Sequence, residues 1–553
     1  MNKKVCSFPI LFALLALLIG TCAVVFPASA QAAPTSTGSI TVSGTVASSY
    51  DAYQIFSANV VDGGNDAKIA TDLTWASDAA RDAALPVLYS AGMPNSQTTA
   101  QEAAEWLNTD SHLTSALSAQ LARSLQSSGP VSMALNAGRA AELSCGYWLI
   151  VADDAIAQGE AGTAPIMALV GGSAVTVKPK AATPKVQKHV LEDSTAAWQK
   201  AADATVADDL YCRLSATVPA GLTAYDTYTV RFVDTMSAGL DPSKVAASMR
   251  VYVAAGADGG FDAVSTGRDG RVGTEPAKGW TDITAQCRVS VDGKTFTVRT
   301  GDLIAALGGA DAFTAGARVV AVYNAPLTSA CNHGIAKGNP NEVYLRYPRS
   351  PFADQSGDAG FTRTPSDDAC AYTWDLALTK RGSDGDKPLA GAVLSIADDR
   401  GRTLAADGTW DAEGKATVTT GEDGRVTVSG VDSGKLEVRE LKAPKGYTAF
   451  EGTRSVTVKA EGLDVDQVAA AKPKLTITAE SPLRADSADG STGSLEASLI
   501  NTPTGTPPSI TTGGFMPSTG DMAMYAAAAA AVAGAALIVV ALLVKRGGGS
   551  HKE

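Results

Sequence analysis

The chain has 553 residues and a formal net charge of −12, so it is too long for one hydrophobic core and too acidic for a nucleic-acid-binding face. Its four histidines are scattered at positions 112, 189, 333 and 551, which argues against a histidine metal cluster. We therefore expect several domains, no metal, no cofactor and no nucleic-acid partner.

The N-terminus has the pattern of a secretory signal. Lys3 and Lys4 precede an almost wholly apolar run from Ile10 to Ile19, and Ala28-Ser29-Ala30 is a small-residue cleavage site. The apolar run is too short for a membrane anchor. Residues 1–30 are predicted to be a signal peptide cleaved after Ala30, with Ala33 as the alternative, so the mature chain is exported.

Residues 31–180 are predicted to form an N-terminal domain in which helices are inserted into a sheet. Apolar and polar residues alternate around Ile40 and Val42, as in a strand. Thr99 and Glu102 fit a capping box, which predicts a helix start. One helical stripe recurs every fourth residue, at Leu113, Leu117, Leu121 and Leu125.

Residues 181–350 and 371–503 are predicted to be two further domains, both β. Period-two alternation between Gly/Asp turns is what a small antiparallel sandwich needs. The polar stretch from Ser350 to Asp368 is predicted to be a linker, and residues 504–521 a flexible linker that carries a sorting motif. The expected fold class is mainly β, with tandem Ig-like β-sandwich domains and a mixed N-terminal domain.

Cysteine usage leaves the redox state of the mature chain open. Five cysteines remain after signal removal, an odd number in an oxidising compartment. One or two disulfides are compatible with this number, but the spacing does not define a pairing. The five are Cys145, Cys212, Cys287, Cys331 and Cys370.

The C-terminal end has the pattern of a membrane anchor. Residues 522–544 are apolar over a length that spans a bilayer as a helix. Lys545 and Arg546 follow at once, and the chain ends at Glu553. Basic residues on the short side predict that residues 545–553 are a cytoplasmic tail and that everything before the helix is outside.

A five-residue motif, Met516-Pro517-Ser518-Thr519-Gly520, stands just before this apolar segment. It resembles the LPxTG motif of sortase substrates, with Met in the Leu position, and Met has similar size and polarity. The resemblance implies that a sortase cleaves between Thr519 and Gly520 and that an amine then attacks the acyl-enzyme. It also implies anchoring to peptidoglycan.

Three sequence motifs in the third domain contain, in this order, a lysine, an acidic residue and an asparagine. Lys380 lies in LALTKRGSDGDKPLAGAVLSI, Glu440 in LEVRELKAPKGYT and Asn501 in SLINTPTG. They resemble the Cna B-type Ig-like domains of Gram-positive surface proteins, which implies an intramolecular isopeptide bond between Lys380 and Asn501. Burial favours the neutral amine and the protonated carboxyl, so Lys380 can attack the amide while Glu440 acts as the catalytic acid and proton shuttle.

The second domain carries a similar set in different phrases. Lys188 lies in TPKVQKHVLED, Asp234 in VRFVDTMSAGL and Asn341 in GNPNEVYLRY. They resemble the isopeptide-forming D2 domain of fimbrial shaft subunits, which implies a Lys188–Asn341 bond with Asp234 as the catalytic acid. Lys185 and Asn339 are alternatives to the two bonded residues. The first domain resembles the N-terminal domain of the same subunits through YDAYQIFSA and GYWLIVADD, but it has no comparable set.

The junction between the first two domains reads VTVKPKAATPK. Shaft pilins carry a lysine here, often in a YPK phrase, that attacks the threonyl acyl-enzyme of another subunit. Lys180 after Pro179 matches this position, although Lys178 replaces the tyrosine of the family phrase. Lys178 and Lys185 are alternative nucleophiles.

Together the resemblances imply a major shaft pilin of a covalent surface pilus that supports adhesion. Its partners would be identical subunits, a sortase, peptidoglycan, minor pilins and host surface ligands. It would be no enzyme, apart from single-turnover crosslinking of itself. The alternative is a wall-anchored adhesin or a minor pilin at the tip or base, presenting a ligand-binding domain. An exported wall-modifying enzyme has less support, because the sequence shows no nucleophile elbow or zinc motif.

Overall fold

The computed structural model describes residues 37–505 apart from 45–46, 64–66, 110–111, 129–131, 153–159, 161, 163, 180–182, 220–221, 257–259, 269, 314–315, 352 and 354. The predicted signal peptide, Lys180, the motif at 516–520, the apolar segment at 522–544 and the basic tail lie outside the described residues. In the part of the chain that is described, no helix has the length and apolar character needed to cross a membrane.

The described residues of the first domain form two small sheets and three helices. Its strands are β1 (Thr37–Val42), β2 (Ser49–Asp62), β3 (Lys68–Trp75), β4 (Ser132–Asn136), β5 (Ala140–Ser144), β6 (Gly146–Ala152), β7 (Ile166–Val170) and β8 (Val175–Val177). One sheet has the order β5-β1-β8 and the other β3-β2-β6-β7, with β4 also pairing β2. The first domain is thus a two-sheet unit in which β1, predicted from alternation, and β2 are central strands.

The helices of the first domain lie between β3 and β4, as α1 (Asp78–Ser90), α2 (Ala100–Asn108) and α3 (Ser115–Ser128). Thr99 and Glu102 form the predicted capping box at the start of α2. Leu117, Leu121 and Leu125 of α3 are buried against β2 and β6. The expected insertion of helices into a sheet is confirmed, because these three leucines pack on one face of that sheet, whereas Leu113, the first leucine of the predicted stripe, lies before α3.

The second domain is a sandwich of two larger sheets. Its strands are β9 (Val186–Glu192), β10 (Ala197–Gln199), β11 (Ala201–Asp203), β12 (Tyr211–Thr217), β13 (Arg231–Met236), β14 (Arg250–Ala254), β15 (Thr281–Asp282), β16 (Arg288–Asp292), β17 (Thr295–Arg299), β18 (Arg318–Asn324), β19 (Asn339–Pro348), β20 (Phe361–Arg363) and β21 (Asp367–Tyr372). One sheet runs β10-β9-β12-β18-β14-β15 and the facing sheet β11-β21-β19-β13-β17-β16, with β20 beside β19. Short helices α4 (Val245–Ser248) and α5 (Leu303–Ala306) lie in its loops.

The third domain is a smaller sandwich. Its strands are β22 (Trp374–Gly382), β23 (Val393–Ala397), β24 (Thr403–Leu404), β25 (Trp410–Asp411), β26 (Val418–Thr419), β27 (Arg425–Val431), β28 (Gly434–Lys442), β29 (Tyr447–Thr448), β30 (Thr453–Glu461), β31 (Lys474–Ala479), β32 (Leu483–Asp489) and β33 (Ser494–Pro503). One sheet runs β27-β22-β33-β29, with β32 beside β33, and the other runs β25-β24-β23-β28-β30-β31, with β26 beside β23. The predicted fold class, mainly β in tandem sandwiches, is confirmed.

The segment from Ser350 to Asp368, predicted to be a linker, contains β-strand structure. Its second half contains β20 and the start of β21, and β21 pairs with both β19 and β11 of the second domain. The Asp367 carboxylate accepts a hydrogen bond from the backbone N–H of Lys188 (2.6 Å) and pairs with the Lys200 ammonium. The composition suggested a loop, but pairing with an available strand edge makes this stretch part of the second sandwich.

The joint between the second and third domains is tight and polar. The Asp203 carboxylate accepts hydrogen bonds from the Trp374 indole N–H (2.6 Å) and the Ser433 backbone N–H (2.9 Å). Arg402 of the third domain pairs with Asp208 of the second (2.8 Å). Since β21 leads almost directly into β22, the two sandwiches meet with almost no intervening chain.

No disulfide joins Cys145, Cys212, Cys287, Cys331 and Cys370 in the described structure. Burial raises the pKa of the Cys331 and Cys370 thiols to about 11 in each case. The one or two disulfides that the sequence allows are not formed among the described residues.

Candidate crosslink sites

In the third domain, strand alternation brings the three predicted residues into one core. Lys380 follows Leu376 and Leu378 on the inward face of β22, and its side chain is fully buried. Strand β22 runs parallel to β33, with Lys380 opposite Leu499 and Gly382 opposite Asn501. Glu440 lies on β28 of the facing sheet, with its side chain pointing into the same core.

The contacts among these three side chains are direct. The Lys380 Nζ donates to Asn501 Oδ1 and lies 3.3 Å from Glu440 Oε1. Asn501 Nδ2 donates to the same carboxyl oxygen at 2.8 Å. The other oxygen, Glu440 Oε2, accepts from the Phe450 backbone N–H at 3.1 Å. One carboxyl oxygen therefore contacts both the amine and the amide nitrogen.

Burial makes the neutral form of the Lys380 amine more accessible in this core. Burial lowers the pKa of Lys380 to about 8, although the Glu440 carboxylate opposes the shift. A proton transferred from Lys380 to Glu440 would leave two neutral groups and a nucleophilic nitrogen beside an amide carbonyl. The cluster is thus arranged for attack of an amine on a polarised carboxamide.

In the second domain, the predicted residues meet from two facing sheets. Lys188 lies between Val186 and Val190 on the inward face of β9 and is fully buried. Asp234 on β13 and Asn341 on β19 come from the other sheet, where β13 and β19 are neighbours and Met236 is opposite Asn341. The Lys188 Nζ donates to Asp234 Oδ2.

A fourth residue, Tyr323, completes this cluster and was not predicted from the sequence. Its hydroxyl accepts hydrogen bonds from Lys188 Nζ (2.7 Å) and Asn341 Nδ2 (2.9 Å), and it donates to Asp234 Oδ2 (3.1 Å). Strand β18, which carries Tyr323, is buried along its whole length. Because both faces are apolar, alternation gave no signal for the residue that points into the site.

Burial dominates the electrostatics here as well. It raises the pKa of Asp234, and the Lys188 charge with hydrogen bonds from Tyr323 and Asn341 opposes the shift. Two buried atoms, Asp234 Oδ1 and Asn341 Oδ1, have no hydrogen-bond partner among the described residues. A proton on Asp234 Oδ1 would supply a donor in a cluster where the amide carbonyl oxygen lacks one.

The two sequence alternatives in this domain have other contacts. Lys185 is exposed, and its backbone N–H bonds to Thr217 Oγ1 (2.8 Å). Asn339 is buried, but its side chain bonds to both backbone groups of Asn332 (2.8 and 2.9 Å) and to the Ala371 carbonyl (3.2 Å). The side chains that share a cluster with Asp234 are therefore those of Lys188 and Asn341.

The residues predicted for polymerisation are only partly described. Lys178 is exposed directly after β8, next to the domain junction. Lys180, Met516, Pro517, Ser518, Thr519 and Gly520 lie outside the described residues. In the described ranges, no group of His, Cys, Asp and Glu side chains is arranged to hold a metal ion.

Comparisons with known proteins give a family match for part of the third domain. Residues 375–472 match the family model described as SpaA, prealbumin-like fold domain. A curated relative, the trypsin-resistant surface T6 protein of Streptococcus pyogenes serotype M6, is 30% identical over 129 residues, which is 22% of this chain and 22% of the relative. The match therefore spans about a fifth of the relative's length.

Solved structures similar to the chain are backbone or major pilins. The T6 backbone pilin of Streptococcus pyogenes serotype M6 is 17% identical, with 85% of this chain and 98% of that chain covered and a TM-score of 0.46. The major pilin SpaD of Corynebacterium diphtheriae is 16% identical over 85% and 98%, with a TM-score of 0.41. The major pilin SpaA of the same organism is 15% identical over 84% and 100%, with a TM-score of 0.38.

Proposed function

We propose that the chain is the major shaft subunit of a covalently polymerised surface pilus of a Gram-positive bacterium. The observation that carries the proposal is the presence of two buried lysine–acid–asparagine clusters, one in each of two consecutive sandwiches. A buried lysine beside a carboxyl and an amide is costly unless the charges are neutralised or consumed. Condensation of the amine with the amide removes that cost permanently.

The proposed reaction is the same in both domains. The neutral lysine Nζ attacks the asparagine Cγ, a new C–N bond forms, and the bond from Cγ to Nδ2 breaks. One amine proton ends on the departing nitrogen, which leaves as ammonia, and the carboxyl regains its starting protonation state. The products are a Lys188–Asn341 bond and a Lys380–Asn501 bond, with Asp234 and Glu440 as the catalytic acids.

These bonds would make each domain resist pulling. In the third domain, the bond would join the first strand, β22, to the last strand, β33. In the second domain, it would join β9 of one sheet to β19 of the other. Force entering at one end of each domain would then be carried through a covalent bond, so strand separation would no longer open the core.

Polymerisation and anchoring follow from the sequence motifs. A sortase would cleave after Thr519 and transfer its carbonyl to the Lys180 amine of the next subunit. Identical subunits, the sortase, peptidoglycan and minor pilins are the proposed partners, and host surface ligands the proposed targets of adhesion. The proposed location is the wall-anchored cell surface, after transient membrane attachment of the precursor.

Intact mass tests the crosslinks. A recombinant fragment of residues 31–515, reduced and denatured, should be about 34 Da lighter than its sequence if two ammonias have left. Lys188→Arg and Lys380→Arg should each restore about 17 Da, and Lys185→Arg should restore none. A wild-type fragment with no deficit would contradict self-crosslinking in this chain.

A ladder of SDS-resistant multimers in wall extracts tests the shaft role. We expect Lys180→Ala to abolish the ladder, whereas Lys178→Ala and Lys185→Ala retain it. If Lys178→Ala or Lys185→Ala abolishes the ladder instead, the polymerising lysine is that residue. A wild-type chain that reaches the wall but forms no ladder would instead be the anchored adhesin or minor pilin.

A further inference from the structure

The Tyr323 hydroxyl lies between two nitrogen atoms of the second domain, the attacking Lys188 Nζ and the Asn341 Nδ2 that it would replace on the Asn341 Cγ atom. Lys188 Nζ is 2.7 Å away on one side and Asn341 Nδ2 is 2.9 Å away on another. Its third contact is Asp234 Oδ2 at 3.1 Å. The side chain is fully buried, so water is excluded as a substitute partner.

At this position a hydroxyl can accept a proton from one nitrogen and donate a proton to the other, which neither reacting nitrogen can do. It has one donor and two acceptor positions, and the three contacts use all of them. When neutral Lys188 attacks, its nitrogen becomes positively charged and must lose a proton, and the Asn341 nitrogen, now on a tetrahedral carbon, needs a proton before it can leave. The hydroxyl is within hydrogen-bond distance of both atoms.

We propose that Tyr323 is a catalytic residue of the second-domain crosslink, carrying the proton from Lys188 Nζ to the departing Asn341 nitrogen. The phenol oxygen accepts the proton from the attacking nitrogen as its own O–H proton passes to Nδ2. The C–N bond to Nδ2 breaks, ammonia leaves, and Tyr323 ends as it began. This inference rests on the proposed self-crosslinking.

The third domain shows why such a carrier is needed in the second. There, Glu440 Oε1 touches both Asn501 Nδ2 (2.8 Å) and Lys380 Nζ (3.3 Å), so one carboxyl oxygen can collect and deliver the proton. In the second domain, the atom with short contacts to both nitrogens is the Tyr323 oxygen. The hydroxyl therefore has the position that the carboxyl has in the third domain.

The surroundings of Tyr323 suit a neutral carrier. Burial and the nearby Asp234 charge hold the pKa of Tyr323 well above 10, so the phenol keeps its proton except during transfer. Its ring packs edge-on against Phe296, with centroids 4.8 Å apart. Phenylalanine fits this ring pocket, which makes removal of the hydroxyl alone a practical test.

The test follows the appearance of each bond in the newly synthesised mature chain, residues 31–515. Samples from cell-free translation are quenched in acid denaturant over time and digested, and the joined peptides containing Lys188–Asn341 and Lys380–Asn501 are quantified by mass. For Tyr323→Phe we expect the second-domain bond to form about 100-fold more slowly, within the usual range for a lost acid–base group. The third-domain bond of the same molecule is the internal control and should form at the wild-type rate.

Phe296→Leu is the matched control for packing. It loosens the same ring pair but keeps the Tyr323 hydroxyl, so the second-domain bond should form within a few-fold of the wild-type rate. A wild-type rate in Tyr323→Phe, or an equal slowing in Phe296→Leu, would overturn the proton-carrier role. A wild-type chain that forms neither bond would instead contradict the proposed function itself.

A second variant covers the case in which Tyr323→Phe fails to fold. Site-specific replacement of Tyr323 by 3-fluorotyrosine keeps the ring and the hydroxyl but makes the hydroxyl more acidic. A proton carrier that assists departure of the amine should then act faster, so we expect a higher rate of second-domain bond formation. An unchanged or lower rate would overturn the proposed role in proton delivery to the departing amine.

Discussion

The two candidate crosslink sites use the same three kinds of residue but distribute them differently over their sandwiches. In the third domain, Lys380 and Asn501 lie on adjacent parallel strands of one sheet, and the acid Glu440 faces them from the other sheet. In the second domain, Lys188 comes from one sheet, and Asp234 and Asn341 come from neighbouring strands of the other. The position of the acid relative to the two nitrogens therefore differs.

This difference shows that the role of each acid depends on which of the two nitrogens its carboxyl oxygens contact. Glu440 faces two adjacent strands across the core, so one oxygen contacts both nitrogens. Asp234 contacts the lysine from the amide's own sheet, and Tyr323, from the lysine's sheet, contacts both nitrogens. The third-domain bond would link two adjacent strands of one sheet, and the second-domain bond would link the two facing sheets.

The largest effect is expected from Glu440→Gln, which keeps the shape of the side chain but cannot take up and return the lysine proton. The third-domain bond should be absent, and the mass deficit relative to the variant's own sequence should shrink by about 17 Da while the second-domain bond remains. Chain-entropy arguments give about 5 kcal/mol for a loop as long as that between positions 380 and 501, so unfolding of this domain should become easier by a similar amount. Chemical denaturation and intact mass measure both.

Glu437→Gln is the matched control for Glu440→Gln. Glu437 lies on the same strand, β28, but is exposed and pairs with Lys435 at 2.9 Å. Its replacement should leave the mass deficit intact and change the free energy of unfolding by less than about 0.5 kcal/mol. A complete mass deficit in Glu440→Gln would show that the carboxyl is dispensable, and the contrast between the two domains would lose its basis.

The second prediction separates Asn341 from its sequence alternative, Asn339. Asn341→Ala should prevent the second-domain bond. Asn339→Ala should leave the bond in place but lower the free energy of unfolding by about 3 kcal/mol, the upper end for buried polar groups left without partners. The reason is that Asn339 bonds to three backbone groups, two of Asn332 and one of Ala371.

Peptide mapping and denaturation of the two asparagine variants decide between these outcomes. Since both residues are buried on the same face of β19, their substitution removes similar volumes from the same strand. If Asn339→Ala abolishes the bond and Asn341→Ala does not, then the bonded amide is Asn339.

The choice between Lys188 and Lys185 could have been made from the sequence. Val186, Lys188 and Val190 alternate with polar residues, so period two places Lys188 inside the sandwich. The choice between Asn339 and Asn341 could not, because both share the inward parity of β19. What distinguishes them is the Asn332 loop, a contact that depends on the path of the chain before the strand.

Two other features were beyond sequence reasoning for different reasons. Tyr323 belongs to a strand buried on both faces, so no alternation marks the side that faces the crosslink. The stretch before the third domain has a loop-like composition, yet part of it pairs with β19 and β11 because those edges are open to it. Strand formation there depends on tertiary pairing, and propensity alone does not reveal that.

The third prediction compares the two candidate crosslink sites with the joint between their domains, which contains titratable groups. Burial, followed by the charges of Asp203 and Asp193, raises the pKa of Glu192 from 4.5 to about 7. Because the pKa of Glu192 is higher in the folded chain than in the unfolded chain, its contribution to the free energy of unfolding is fully present below pH 4.5. That contribution is lost as the pH rises through 7. The loss should be on the order of 2–3 kcal/mol, since a tenfold change in proton affinity is worth about 1.4 kcal/mol.

Unfolding midpoints at pH 5 and pH 8 measure this effect in the full mature chain. The wild type should be less stable at pH 8, and Glu192→Gln should flatten that dependence. Glu342→Gln, an exposed change on β19, should leave it as in the wild type. A Glu192→Gln chain with the wild-type pH dependence would show that the titrating group of the joint is another one. Asp432 is then the candidate, because burial and Asp203 raise its pKa well above the usual range.

The smallest effect concerns the pH dependence of bond formation in the third domain. The attacking state has a neutral Lys380 and a protonated Glu440, so the pair must hold one proton in total. With the pKa of Lys380 lowered to about 8 by burial, that proton is lost above pH 8. The rate of Lys380–Asn501 bond formation should therefore be flat below pH 8 and fall about tenfold for each pH unit above it.

Acid-quenched time courses of newly synthesised chain, transferred to buffers between pH 6 and pH 10, give this profile. Folding of the third domain is followed in parallel by protease resistance, so that slow folding is not mistaken for slow chemistry. A rate that rises through pH 8 would mean that the neutral amine alone limits the reaction. The carboxyl would then be no proton donor, and Glu440 and Tyr323 could not be equivalent proton carriers in the two domains.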